Sequence, residues 1–270
     1  MKLGIVNNQV TLLTRQDDHL LGQMVRNTDT IFDAISNRSN LELSEKFEVN
    51  QKELQMPVPE PRQVFAVGMN YTDHSREINI ALPKVPSIFT KFQSSLTDPN
   101  VTVKKHGNQT DWETELVIVI GKDGRNIAKE NVDQFIAGYM VGQDLSDRFV
   151  QLENTDAPQF SMGKSFEKYG PVGPWLTTPD DIKDLGDLEI ETRVNGIVMQ
   201  HSQLKNMIFD TPTLVSYLSS IVELKSGDII FTGTPSGVGL GRDPKVFLRS
   251  GDDLISEIEG LGQLHIEITE

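Results

Sequence analysis

Apolar residues alternate with polar ones, or run together, in several short stretches of the chain, each of which reads as a strand. Lys2 to Val6 and Val10 to Thr14 flank Asn7-Asn8, a tight-hairpin signal, because asparagine tolerates the positive φ that two-residue turns require. Val64 to Val67, Phe89 to Phe92, Gly138 to Gly142 and Asp228 to Thr232 read as further strands. Leu116 to Ile120 is an unbroken branched apolar run, as expected of a buried strand. Glu191 to Val194, Asn195-Gly196 and Ile197 to Met199 give the strongest hairpin signal, and Leu254 to Glu259 with Leu264 to Ile268 predict a closing hairpin. Helices are few. Ile31, Phe32 and Ile35 share a face of a short helix for which Asp29 is the candidate cap, Val132 to Ala137 reads as helical, and Asp210 before Thr211-Pro212 starts a helix over Leu214 to Ile221. Met56-Pro57-Val58-Pro59-Glu60-Pro61 cannot be helix interior, since proline lacks an amide donor and restrains its neighbour. It divides the chain into a small N-terminal domain, residues 1–60, and a main body, residues 61–270.

A chain of 270 residues is long enough for a sizeable core. Its 25 basic and 39 acidic side chains leave a net charge of −14, which argues against nucleic acid or an anionic membrane surface as partner. No apolar run could span a bilayer, and the N-terminus lacks the apolar segment of a signal peptide. The absence of cysteine rules out thiolate chemistry and sulfur-bound zinc, and fits a cytoplasmic protein.

The chemistry concentrates in Asp111-Trp112-Glu113-Thr114-Glu115, which leads into the apolar run. Strand side chains alternate, so Glu113 and Glu115 point to one face. Two such carboxylates are tolerable if one is protonated, if both reach water, or if a cation lies between them; Mg²⁺, Mn²⁺ or Ca²⁺ would suit their hard oxygens. His74 and Glu77, three apart after Gly68-Met69-Asn70-Tyr71, share a helix face as either an oriented imidazole or a surface ion pair. On a helix, Asp144, Arg148 and Gln151 would also share a face, where Arg148 could grip an anionic substrate bidentately or pair with an acid of the chain. Lys91 reads as a surface charge. Lys164 does too, unless its neighbours say otherwise. Gly233 to Gly239 could present backbone amides and the Thr234 hydroxyl to an anion, but the chain has no dinucleotide fingerprint, P-loop, His-Glu-x-x-His pair or nucleophile elbow.

In this order the motifs resemble the fumarylacetoacetate hydrolase (FAH) family: Gly68-Met69-Asn70-Tyr71 with His74 and Glu77; Asp111 to Glu115 with Val119-Ile120-Gly121-Lys122; Asp144 with Arg148 and Gln151; Gly163-Lys164; and Thr232 to Gly239. The match runs from about Pro61 to the C-terminus. It departs from many relatives at Asp147, where a small residue is common, and at Phe149, where an acid is. The resemblance implies an α+β, β-rich fold, a mixed β-sandwich roll with peripheral helices beside a small N-terminal α/β domain, assembled as a homodimer. It implies that Glu113, Glu115 and Asp144 hold Mg²⁺ or Mn²⁺, with Ca²⁺ an alternative. His74 and Glu77 would lie on a segment that closes over the ligand, Lys164 would face the reacting carbonyl or enolate, and Arg148, Gln151 and Thr234 would contact the substrate. The expected activity is metal-dependent hydrolysis of a carbon–carbon bond in a small 2,4-dioxo acid, with Glu77 orienting His74 and His74 activating water. An oxaloacetate-type decarboxylase, a 2-hydroxyhepta-2,4-diene-1,7-dioate-type isomerase and a non-catalytic 2-oxo-acid binder are the rival readings.

Overall fold

The computed structural model describes residues 1–17, 19–73, 82–153 and 156–270. Its centre is a large mixed sheet. In spatial order this runs Phe47–Glu48, His19–Met24, Gln9–Gln16, Lys2–Val6, Gly170–Thr177, Ile136–Gln143, Thr114–Ile120, Ile229–Phe231, Val64–Gly68 and Ser87–Thr90. A second, five-stranded sheet runs Ile197–Gln203, Glu189–Val194, Asp253–Ile258, Gly262–Thr269 and Asn100–Lys104.

Alternation along the Thr114–Ile120 strand explains why its sequence is apolar throughout. Leu116, Ile118 and Ile120 point into a core shared with Ile190, Leu254 and Ile266 of the second sheet, whereas Val117 and Val119 pack on the opposite face with Met140, Phe231 and the short helix that carries Ile31. Both faces are covered, so no position is left for a polar residue. The result is the expected β-rich sandwich with helices at its periphery. Strands of the first sixty residues join the same central sheet through Lys2↔Thr177 and Leu3↔Leu176. The division at Glu60 remains a proposal about folding units.

The two short turns follow their sequence signals: Asn7 and Asn8 have φ of 50° and 61°, and Asn195 and Gly196 have 52° and 77°. Asp210 caps the Thr211–Ile221 helix by accepting from the Thr213 amide at 2.9 Å. Other expectations need correction. The Ile31–Ser36 helix is capped by Thr30 instead of Asp29; the Thr30 hydroxyl accepts from the Asp33 amide at 3.1 Å and donates to its carboxylate at 2.7 Å, so the cap and the acid three residues on close reciprocally. Val132 to Ala137 is not one helix: a tight helical turn spans Lys129–Gln134, and Ile136 and Ala137 already belong to the Ile136–Gln143 strand. Asp144 does not share a helix with Arg148 and Gln151. Ser146–Asp147 pairs as a strand with Thr110–Asp111, and only Phe149–Glu153 coils, in a wide turn.

Tyr139 lies in the Ile136–Gln143 strand, where burial pushes its phenol up to about 12 against the opposing hydrogen bond from Thr211. A folded-state value above the unfolded value of about 10 means that ionisation favours unfolding. The stabilisation is therefore complete below about pH 10 and is lost as the pH rises towards 12. Tyr139→Phe is expected to lose stability less steeply over that alkaline window, as urea midpoints measured against pH would show.

Candidate active site

Register places the acidic residues. Thr114 pairs with Gln143 and Glu115 with Gly142 across two antiparallel strands, and the Asp144 amide donates to the Glu113 carbonyl at 2.8 Å. Residues just beyond each strand are thereby brought side by side. Glu113, Glu115 and Asp144 are all buried, and each offers a carboxylate oxygen within 4.8 Å of the others. This donor set, three hard anionic oxygens converging in a buried pocket, fits a divalent ion, and the cluster could hold one.

Lys164, expected from sequence to depend on its company, is 2% exposed, with Nζ 2.6 Å from Glu113 Oε2 and 2.7 Å from Asp144 Oδ2. It gets there because Gly163 lets two segments touch: a Cβ at Gly163 would lie 2.7 Å from Gln151 Cβ and 2.8 Å from the Gln151 amide. Burial opposes the Lys164 charge, but Asp144 and Glu113 outweigh it and hold the ammonium above the usual lysine range. Glu115 moves the other way from a normal carboxyl. Burial, then Asp144 and Glu113, push its pKa well above the carboxylate range, against Lys164 and the Gly233 amide, which donates to its Oε2 at 2.8 Å. Gly233 makes that contact with φ +97°, a conformation that a side chain would strain, and a Cβ there would meet Asn70 at 2.7 Å.

Three expected substrate contacts are brought to the pocket, but much of their bonding capacity is already used. Arg148 directs Nε and Nη2 to Asp111 Oδ2, each at 2.8 Å, Nη2 also to Glu113 Oε1 at 2.7 Å, and Nη1 to Gln151 Oε1 at 2.9 Å. The bidentate fork expected for a substrate is spent on Asp111. Asp111, to which the sequence assigns no role, also accepts from the Gly239 and Leu240 amides at 2.7 and 2.9 Å. Those two amides are thereby committed to an acid of the chain, anchoring the glycine-rich loop, and are not offered to a bound anion. The Thr234 hydroxyl donates to the Thr114 carbonyl and accepts from Gln200 Nε2, both at 2.8 Å, which commits its proton within the fold.

Sequence reasoning also missed Lys91, Gln143 and Gln200. Lys91 is buried, with Nζ 2.6 Å from Asp144 Oδ1; its only sequence signal was a charge set between Phe89 and Phe92. Gln143 accepts from the Glu113 amide and donates to Ser256 Oγ at 2.9 Å, joining the two sheets behind the site. A cavity of about 270 Å³ opens in front of the cluster, with Glu113, Glu115, Arg148, Gln151, Lys164 and Thr234 at its polar end. Val67, Met69, Phe89, Leu152, Phe160 and Val238 form apolar walls. His74 and Glu77 lie outside the described residues.

Residues 63–269 match the family model of the fumarylacetoacetate (FAA) hydrolase C-terminal domain. The chain belongs to the fumarylacetoacetate hydrolase family. The mitochondrial oxaloacetate tautomerase Fahd2a of Rattus norvegicus is 43% identical over 208 residues, covering 76% of this chain and 66% of the relative, so the match spans just under two thirds of that protein. A candidate HpcE protein from Mycobacterium smegmatis superposes with a TM-score of 0.90 at 41% identity, over 100% of this chain and 99% of the other. A 2-hydroxyhepta-2,4-diene-1,7-dioate isomerase from Mycobacterium marinum gives a TM-score of 0.81 at 28% identity, over 100% and 98%. No described helix is long and apolar enough to cross a membrane.

Three outcomes are expected of this site. Asp111→Ala is expected to lower stability by about 3–5 kcal/mol, because it leaves the buried Arg148 guanidinium without its main partner; urea unfolding measures this. A divalent ion held by the cluster, at about a hundredfold excess over its dissociation constant, is expected to stabilise the protein by about 2.7 kcal/mol. Glu115→Gln is expected to lose most of that gain in thermal melts, since a neutral amide replaces a charged oxygen.

Proposed function

We propose that the chain is a divalent-metal-dependent enzyme that forms and reprotonates the enolate of a small 2-oxo acid. The observation that carries this reading is the convergence of Glu113, Glu115 and Asp144 beside the buried ammonium of Lys164 at the polar end of a cavity. When bound, Mg²⁺ or Mn²⁺ would supply Lewis acidity to the substrate carboxylate and its 2-oxo oxygen. Lys164, held charged by Asp144 and Glu113, suits the stabilisation of negative charge on the substrate oxygen better than proton abstraction. Gln151 has its carbonyl oxygen on Arg148, which leaves its amide N–H groups as the part to offer a substrate. His74, with Glu77 as its orienting carboxylate, is the proposed base, taking a proton from C3 in one reaction and from water in another.

Of the reactions this site could run, we favour keto–enol isomerisation. It needs only charge stabilisation and a proton shuttle, and the relatives named above include an oxaloacetate tautomerase and an isomerase. Hydrolysis of a 2,4-dioxo acid is the second reading, supported by the His74–Glu77 spacing, which suits water activation. Decarboxylation of oxaloacetate would pass through the same enolate. A homodimer is the proposed assembly, in keeping with the exposed apolar side chains of Phe92, Phe149, Leu152 and Met162. A cytoplasmic setting is the proposed location.

Oxaloacetate isomerisation and acetylpyruvate hydrolysis, assayed side by side with Mn²⁺, test the proposal. His74→Ala is expected to cost about 10²–10⁴-fold in hydrolysis, the usual worth of a positioned general base. Lys164→Ala is expected to damage both reactions, since each places charge on oxygen. Undiminished turnover after exhaustive chelation would overturn the metal-dependent reading, and wild-type hydrolysis by His74→Ala would overturn the choice of base.

A further inference from the structure

Each carboxylate of the triad has one oxygen already taken by a donor other than Lys164. Glu113 Oε1 receives Arg148 Nη2 at 2.7 Å, Glu115 Oε2 receives the Gly233 amide at 2.8 Å, and Asp144 Oδ1 receives Lys91 Nζ at 2.6 Å. The oxygens outside this pinning are Glu113 Oε2, Glu115 Oε1 and Asp144 Oδ2, and Lys164 Nζ bridges the first and the last. Lys91 is held as firmly as the oxygen it holds. Its ammonium also donates to the Lys164 carbonyl, and to the Tyr169 carbonyl at 3.3 Å, so three N–H groups meet three acceptors in a buried place.

We infer that Lys91 is a positioning residue that restricts Asp144 to a single ligand oxygen, and so sets the site's preference for a small octahedral cation over Ca²⁺. Mg²⁺ takes six oxygens in near-ideal octahedral geometry, and three single carboxylate oxygens leave it room for a chelating substrate and water. Ca²⁺ takes six to eight oxygens and often draws both from one carboxylate. An ammonium fixed on Oδ1 by two further carbonyl acceptors repels a cation that approaches that oxygen, so Asp144 gives its second oxygen only against the charge of Lys91. Arg148 and Gly233 pin their carboxylates in the same way, but Arg148 also serves Asp111 and Gln151, and Gly233 acts through its main chain. Among the described residues Asp144 is the one side chain that Lys91 hydrogen-bonds, its other acceptors being the Lys164 and Tyr169 carbonyls, so its removal frees Asp144 Oδ1 without touching another carboxylate. The inference rests on the reading that the site takes a divalent ion.

The test is a set of calorimetric dissociation constants for Mg²⁺, Mn²⁺ and Ca²⁺ with wild type and Lys91→Met. Losing a positive charge tightens all three ions together, so the ratio of the Ca²⁺ to the Mg²⁺ constant is the quantity to read. That ratio is expected to fall by about tenfold in Lys91→Met, because Asp144 regains a second oxygen that only the larger ion uses. An unchanged ratio in a folded Lys91→Met protein overturns the inference. Should the variant not fold, a crystal structure of the wild type loaded with Ca²⁺ decides: one Asp144 oxygen on the ion supports the role, and two overturn it. If wild type binds none of the three ions, the metal reading itself fails; if it binds them and the ratio does not move, only the role of Lys91 fails.

Discussion

The constraint on which the site depends is charge balance in a buried volume. Asp111, Glu113, Glu115 and Asp144 are withdrawn from water together, and three cations, Lys91, Arg148 and Lys164, are withdrawn with them. An isolated buried charge would cost several kcal/mol, so neither set is tolerable alone. The four acids outnumber the three bases by one, and Glu115, whose Oε2 accepts from the Gly233 amide, has its pKa raised first by burial and then by Asp144 and Glu113. A divalent cation among the three carboxylates would offset that burial and repulsion, which gives a cluster costly to build a functional rationale.

The sheet makes such a cluster possible. Antiparallel pairing of Thr114–Ile120 with Ile136–Gln143 delivers Glu113 and Asp144 to adjoining positions, and two-sided burial of the strands keeps water away from the ends that carry them. Around this frame lies a set of polar side chains whose bonds are directed at one another: Gln143 to the Glu113 amide, Gln200 to Thr234, Arg148 to Asp111, and Asp111 to the glycine-rich loop. Such a network holds each carboxylate in one orientation before any ligand arrives, the condition under which electrostatic stabilisation of an enolate is most effective. The adjoining apolar walls limit competition from water. A site held in this way suits the proposed chemistry, in which charge develops on a substrate oxygen.

What the sequence alone determined is local or periodic. The branched run after Glu115 read as a buried strand, and is one. Asn7-Asn8 and Asn195-Gly196 could turn because those residues accept positive φ, and Asp210 before Thr211-Pro212 could cap a helix, since each signal acts within a few residues. The ordered motifs were enough to name the family and to nominate Glu113, Glu115, Asp144 and Lys164. Lys91, Asp111, Gln143 and Gln200 escaped because their importance lies in partners far along the chain: Lys91 meets Asp144 across 53 residues, and Asp111 meets the Gly239 amide across 128. No periodicity records such a meeting. The same limit explains why the sequence left Arg148 open between a substrate and an acid of the chain, and why Lys91 read as a surface charge. Whether an ionic side chain serves a ligand or the fold depends on which opposite charges are buried beside it, and only the tertiary structure decides that.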